Sequence, residues 1–382
     1  MKILLLSMHS IHATRWIENL KESGHELYWF DITGKGTIQT LEEVTQITNW
    51  KKRKLPYIKG EYWLSKKFPK LYHFIRPYLE VTENEALEAC IKNIQPDLVQ
   101  SFEMQTCSYP IVKTMLKFQN IKWLYNCWGN DIFYYQNLPS HKINLSQVLS
   151  RVNYMTADCK RDGILALQNG FKGKFLGAIP TGGGYDLSYF ENYKKPFEER
   201  KIIIVKGYHH LFGRALNVVK ALEEIKDDLQ QFSVVVFGAH KVVEDYVNHK
   251  KLPFRVYDRH GLKQEEVLKL MGQSAIYVGN NISDGMPNTL LEAMIMGAFP
   301  IQSNPGGATA EIIEDGNNGF LIHNPEDIQE IKKLILKAIQ NQDWIKSAAL
   351  ENYNIAKAYV DLNANQQKIV ALYHQIENDT CE

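Results

Sequence analysis

Two series of short apolar runs, each interleaved with amphipathic stretches, restrict the fold of this chain more than any other feature. In the first series, residues 3–6 and 26–30 read as strands joined by a helix over 16–23 that stops at Gly24 and His25. Residues 96–99 and 123–125 repeat the strand signal, and a second series follows at 201–205, 233–237 and 275–278. Short, nearly all-apolar strands alternating with helices predict parallel sheets covered on both faces. A chain of 382 residues is long for one core, so two doubly wound α/β domains are expected. Ligands of such sheets bind beyond the C-terminal ends of the strands, which makes a cleft between the domains the expected site. The glycines at 182–184 and the polar, proline-bearing stretch 193–197 mark the join. The predicted boundaries are 1–193, 194–358 and a last helical segment, 359–382, in which Tyr359, Leu362, Ile369, Tyr373 and Ile376 share one apolar face.

The stretch richest in chemistry reads Ser283-Asp284-Gly285-Met286-Pro287-Asn288-Thr289-Leu290-Leu291-Glu292-Ala293-Met294. Gly285 and Pro287 punctuate a loop, and the residues from Leu290 onward are good helix formers, so the loop feeds a helix N-terminus. Unpaired N–H groups and a partial positive charge make such a terminus a phosphate site. Asp284 and Glu292 can accept hydrogen bonds from hydroxyls on either side. A diphosphate flanked by two polyols describes a nucleotide sugar. The competing reading of this stretch alone is a buried helix with an ordinary capping acid.

Further residues extend the pattern. Glu292 leads into Ala293-Met294, the turn Gly297-Ala298-Phe299-Pro300, and then Glu311-Ile312-Ile313-Glu314-Asp315-Gly316-Asn317-Asn318-Gly319-Phe320-Leu321-Ile322. Taken in order, these residues resemble the donor half of the retaining GT-B glycosyltransferases, specifically glycosyltransferase family 4. The resemblance implies a GT-B fold: two Rossmann-like domains facing a cleft, with the last helix crossing back to the N-terminal domain. It implies that the first acid contacts the transferred sugar and the second holds the ribose hydroxyls. Asp284 stands where Glu is more usual, one methylene shorter. On this basis Gly285, Met286, Pro287, Asn288, Thr289 and Glu292 are the expected donor-binding residues.

Departure of a nucleoside diphosphate builds negative charge on the β-phosphate, so cations placed there favour the transition state. Lys206, at the end of a strand run, and Arg214 resemble the basic pair with which the family clamps the diphosphate. With Asp284 they are the expected catalytic residues. The chain has no Asp-x-Asp triplet and no His-Glu-x-x-His pattern, so cationic side chains and helix amides are expected in place of a metal. The nucleotide sugar is then a co-substrate, with no further cofactor. Neither G-x-x-x-x-G-K-[ST] nor a strand-linked G-x-G-x-x-G occurs, which weakens NTPase, kinase and dehydrogenase readings.

The first half should carry the acceptor. His9, His12 and Arg15 are expected in the turn after the first strand, and His12 is the candidate for acceptor contact, a structural histidine being the alternative. Trp128-Gly129-Asn130-Asp131 resembles the family's His-Gly-x-Asp turn, with Trp128 where a sugar-contacting His often stands. The tryptophan either stacks on a sugar face or belongs to the core. Asp131 bonds a sugar hydroxyl or caps its turn, and Glu103 follows another strand.

Residues 50–76 carry nine basic side chains (Lys51, Lys52, Arg53, Lys54, Lys59, Lys66, Lys67, Lys70, Arg76) against Glu61 alone, interleaved with Trp50, Tyr57, Tyr62, Trp63, Phe68 and Tyr72. The mixture suits an anionic membrane surface; a solvated basic insertion is the other reading. A net charge of +1 and the lack of any accompanying DNA- or RNA-binding motif argue against nucleic acid. Five scattered cysteines (Cys90, Cys107, Cys127, Cys159, Cys381), an N-terminal apolar run too short for a signal peptide and no long apolar span predict a cytoplasmic protein, peripheral on the inner face of the membrane. The expected activity is transfer of a sugar, with retention, from a nucleotide-diphosphate sugar to a glycan hydroxyl. UDP is favoured over GDP, and a lipid-linked acceptor of surface polysaccharide or glycoconjugate assembly is expected. A nucleotide-sugar epimerase of the same fold and a non-catalytic nucleotide-sugar sensor are the alternatives.

Overall fold

The computed structural model describes residues 1–379; Cys381 and the end of the 359–382 segment lie outside the described residues. The chain forms two compact units. Unit 1 comprises Met1–Ala157, Gly163–Gly177 and the chain from Ile369; unit 2 comprises Asp158–Asp162 and Ala178–Lys368. Relative to the boundaries drawn from sequence, residues 158–162, 178–193 and 359–368 join unit 2.

Unit 1 is built on a seven-stranded sheet of β1 (Lys2–Ser7), β2 (Glu26–Asp31), β3 (Thr45–Ile47), β4 (Leu98–Phe102), β5 (Lys122–Cys127), β6 (Tyr154–Ala157) and β7 (Lys174–Ala178). The spatial order is β3-β2-β1-β4-β5-β6-β7, and β1 pairs in parallel with both β2 and β4. Every residue of β4 is buried, as a central strand between two helical layers requires. The order reverses between β1 and β4, so the loops leaving these two strands diverge and open a crevice at their C-terminal ends.

Two helix boundaries differ from the sequence reading. The first helix runs Ile11–Glu18, because the Ser10 hydroxyl accepts from the backbone N–H of His12 at 3.2 Å and starts the helix early. His12 and Arg15 therefore lie on the helix, not in the preceding turn. At the far end, Asp361 ends the helix Gln342–Val360 and caps the next, Leu362–Asn378, by accepting from Ala364 N at 2.9 Å. Tyr359 thus belongs to a different helix from Ile369, Tyr373 and Ile376, which are fully buried. The Tyr373 hydroxyl accepts from Trp16 Nε1 at 2.8 Å and donates to Gln100 Oε1, tying the chain from Ile369 onward to the core of unit 1.

Unit 2 contains β8 (Ile202–Lys206), β9 (Ser233–Ala239), β10 (Arg255–Asp258), β11 (Ser274–Gly279), β12 (Phe299–Ser303) and β13 (Phe320–Ile322), in the order β10-β9-β8-β11-β12-β13 with every pair parallel. Alternate residues enter opposite cores: Ile203, Val205, Val234 and Val236 join one apolar cluster, and Ile202, Ile204 and Val235 the other. The sheet is therefore covered on both faces. Its order reverses between β8 and β11. No helix among the described residues is long and apolar enough to cross a membrane.

Candidate active site

The switch point of unit 2 brings together Lys206, the last residue of β8, and Asp284, on the loop that follows β11. Lys206 Nζ stands 3.8 Å from Asp284 Oδ2, with side chains 11% and 26% exposed, so the pair is sheltered but reachable. Local geometry fixes both. A Cβ at Gly207 would lie 2.7 Å from Ala239 Cα, so only glycine lets the chain leave β8 this close to the end of β9. Asp284 Oδ2 accepts from Asn281 Nδ2 at 2.9 Å, and Asn281 N donates to Ser303 Oγ at 2.7 Å, anchoring the loop to β12.

The helix Asn288–Ile295 starts four residues after Asp284, and its N-cap is Pro287, which offers no side-chain acceptor. Its first turn is held by Thr289, whose hydroxyl lies 3.0 Å from the Tyr277 hydroxyl. Glu292 is 7% exposed and accepts from Gln264 Nε2 at 3.0 Å. Burial pushes the Tyr277 hydroxyl far up its scale, and the charges of Asp284 and Glu292 push it in the same direction, so both acids act on one buried phenol.

Around Tyr208 the structure gathers groups that sequence reading did not single out. Its ring lies 5.0 Å from Lys206 Nζ, 5.6 Å from Arg259 Cζ and 5.8 Å from the His240 ring, and His210 and His240 are 5.2 Å apart. Burial lowers the pKa of His210, and the charges of His240, Lys206 and Arg259 lower it further against the opposing pull of Asp284. The neighbourhood is electropositive and suits an anion. The available signal was positional: Arg259 follows the end of β10, and His240 follows the end of β9.

Arg214 departs from expectation. Its guanidinium binds Glu326 through Nε, while Nη1 donates to the carbonyls of His210, Leu211 and Gly213 at 3.1, 3.3 and 2.9 Å. Gly213 itself packs so tightly that a Cβ would sit 2.2 Å from Tyr208 O. The arginine therefore organises the loop after β8 and ties it to residue 326. Sequence spacing placed it after the right strand but could not give the direction of its side chain.

Asp158 is a further acid in unit 2. It accepts from Thr181 N at 2.9 Å and from the Thr181 hydroxyl. Burial raises its pKa to about 7; the Thr181 bonds oppose this, and the charges of Asp162 and Asp284 add to it.

In unit 1 the acceptor-side candidates gather at the ends of the adjacent strands β1, β4 and β5. The His12 ring meets Trp128 edge-on at 5.8 Å, and Trp128, half-buried, donates from Nε1 to Asn126 Oδ1 at 3.0 Å. Asp131 is 2% exposed, and its Oδ2 accepts from Met104 N at 3.1 Å, Trp128 N at 3.1 Å and Tyr125 OH at 2.8 Å. Of its two readings the structure favours the capping one, since this carboxylate joins the loops after β4 and β5. Glu103 has a φ of +68°, a costly conformation for a side-chain-bearing residue, and accepts from Gln105 N at 3.0 Å and Thr106 N at 2.5 Å. Burial raises its pKa against those backbone bonds. Among the described residues, the one group of three His, Cys, Asp or Glu whose ligand atoms lie within 4.8 Å of one another is His25, His374 and Glu377, also in unit 1.

Residues 190–357 match the family model described as Glycosyl transferases group 1, a span containing Lys206, Asp284 and Glu292. The chain is a glycosyltransferase. Its GT-B fold is similar to that of solved glycosyltransferases across nearly their whole length. A glycosyltransferase from Rickettsia africae aligns with a TM-score of 0.68 at 16% identity, covering 99% of each chain. The sucrose-phosphate synthase of Thermosynechococcus elongatus gives 0.70 at 16% identity over 98% of this chain and 99% of that one. The Anabaena protein HepE, solved in complex with UDP and glucose, gives 0.64 at 16% identity over 99% and 100%. No curated protein matches the sequence. The glycosyltransferase residues on this site can hold an anion against Lys206 and the helix amides, and can accept hydroxyl hydrogen bonds at Asp284 and Glu292.

Proposed function

We propose that this glycosyltransferase is a retaining, metal-independent enzyme that takes a sugar from a nucleotide-diphosphate donor, UDP favoured over GDP, and places it on a glycan hydroxyl. The acceptor is lipid-linked, an intermediate of surface polysaccharide or glycoconjugate assembly, met at the inner face of the membrane. The observation that carries the reading is the Lys206–Asp284 pair, 3.8 Å apart at the switch point of unit 2, beside a helix that bears Glu292. In this reading the diphosphate sits at the N-terminus of the helix Asn288–Ile295, with Gly285, Met286, Pro287, Asn288 and Thr289 around it. Lys206 meets the charge that grows on the β-phosphate, Asp284 contacts the transferred sugar, and Glu292 holds the ribose hydroxyls. The β-phosphate assists deprotonation of the acceptor on the face the leaving group vacates, so no protein base is required. His12, Glu103 and Trp128 serve the acceptor. The complex of the similar Anabaena protein with UDP and glucose supports a UDP donor. The test is to incubate the protein with UDP-glucose and read the anomeric configuration of the released or transferred sugar by NMR before it mutarotates. An α product from the α-configured donor supports retention, and a β product overturns it.

A further inference from the structure

Half of the large exposed apolar residues among those described fall within one short stretch. Of eighteen such side chains, nine lie between Leu55 and Tyr78, several of them more than two-thirds exposed. The stretch forms two short helices, Glu61–Lys67 and Pro69–Leu79, joined at Phe68. On the second helix Leu71, Phe74 and Tyr78 fall at i, i+3 and i+7, one continuous stripe, and Trp63 meets Phe68 edge-on at 5.5 Å beside it. A patch of this kind on a folded protein marks an interaction surface.

The structure also sorts the basic side chains of the segment. Arg53 makes a two-pronged bond to Glu61 at 2.6 and 2.8 Å, and Tyr72 adds a third bond to the same carboxylate at 3.0 Å. Arg76 pairs with Glu80 and Glu83, Lys54 pairs with Glu85, and Lys51 donates to Thr33 O. Trp50 is 8% exposed, stacks on Phe30 and donates to Asp31 O at 2.7 Å, so it belongs to the core. These groups fasten the helices to unit 1. Among the described residues, Lys52, Lys59, Lys66, Lys67 and Lys70 make no ion pair, and the sole acid between Leu55 and Tyr78, Glu61, is the buried partner of Arg53. The outward face is therefore apolar and uniformly positive.

We propose that this helical pair docks on the anionic leaflet of a bilayer, with Trp63, Phe68, Leu71, Phe74 and Tyr78 entering the headgroup region and Lys66, Lys67 and Lys70 meeting lipid phosphates. The charge decides the occupant: a surface whose unpaired charges are all positive repels a second copy of itself and matches a sheet of anionic headgroups. The two helices are far too short to span, so the protein lies on the membrane. This deepens the lipid-linked acceptor reading above and supplies the surface that reading needs.

Full-length protein is sedimented with vesicles of phosphatidylglycerol and phosphatidylcholine, and with phosphatidylcholine alone, at low and high salt. Binding is expected to the anionic vesicles, to weaken with salt, and to fall about a hundredfold in Lys66→Glu/Lys67→Glu/Lys70→Glu. Phe74→Ser/Tyr78→Ser is expected to lose binding with its positive charge intact, which separates insertion from simple attraction. All of these positions are exposed, and thermal stabilisation by UDP-glucose reports in parallel on fold and donor site. Absence of vesicle binding by the wild type, equal binding by the variants, or a dimer dispersed by Phe74→Ser/Tyr78→Ser in sedimentation velocity would overturn the proposal. If donor stabilisation persists in those cases, the transferase reading stands without it.

Discussion

At the scale of single residues, the proposed donor site assigns binding and catalysis to different side chains. Glu292→Ala should weaken donor binding by about 1.5–3 kcal/mol, the range for a hydrogen bond to a charged group, while the protein still folds. Titration calorimetry with UDP checks this, and an unchanged Kd removes Glu292 from the ribose. Lys206→Ala should lower kcat more than it raises donor KM, because the charge it faces grows as the glycosidic bond breaks. Arg214→Ala, by contrast, should act through loop order, since its guanidinium is held by Glu326 and three carbonyls. Asp158 gives a pH signature. Its folded pKa of about 7 lies above the ordinary 3.8, so the folded protein keeps a proton that the unfolded chain has released. Stability is therefore highest on the acid side of this group, declines as pH rises from about 4 to about 7, and is level above. Asp158→Asn should flatten that part of the pH–stability curve in urea denaturation; superimposable slopes in the two proteins would remove Asp158 as the cause.

At the scale of elements, β1, β4, β5, β8, β9 and β11 are legible because each is a short, largely buried apolar run, whereas β3, β7 and β10, partly exposed, carry no such run and are not. Strand ends are less legible: the pattern predicts a strand over 96–99, whereas β4 runs Leu98–Phe102, because Pro96 and Asp97 precede the paired register. The start of the first helix turned on whether Ser10 caps it, which depends on a side-chain rotamer. The sequence pattern groups Trp50 with a basic aromatic face, whereas in the structure it is core, its indole N–H donating to Asp31 O. The residues 359–376 share an apolar pattern that continues across Asp361, so periodicity could not show the break. The second of those helices is where a single hydroxyl has leverage. Tyr373→Phe removes the acceptor of Trp16 Nε1 and the donor to Gln100, all buried, and should destabilise unit 1 by about 1–3 kcal/mol in chemical denaturation. No loss of stability would mean that the bonds are replaced on mutation.

At the scale of the whole molecule, the two sheets obey one rule, with candidate residues at the point where strand order reverses. In unit 2 that point holds Lys206 and Asp284; in unit 1 it holds His12 and Glu103. The chain's motifs point to the proposed donor residues because a loop, a helix start and two acids are contiguous in sequence. Arg259, His210, His240 and Gln264 were missed because they come from separate elements that only the fold assembles. Since every donor residue named lies in unit 2, a nucleotide sugar should stabilise the protein without any acceptor present. A ligand at a hundred times its Kd adds about 2.7 kcal/mol to the folded state that binds it, enough to move a melting curve. UDP-, GDP- and ADP-sugars compared by thermal shift should therefore show one nucleotide shifting the transition, UDP being expected, and on the proposed metal-independent reading, with Lys206 and the helix amides in place of a cation, the shift should survive EDTA. Lys206→Ala should reduce that shift. A shift that appears only with added Mg²⁺ or Mn²⁺ would assign the diphosphate to a metal and remove the cationic side chains from that role.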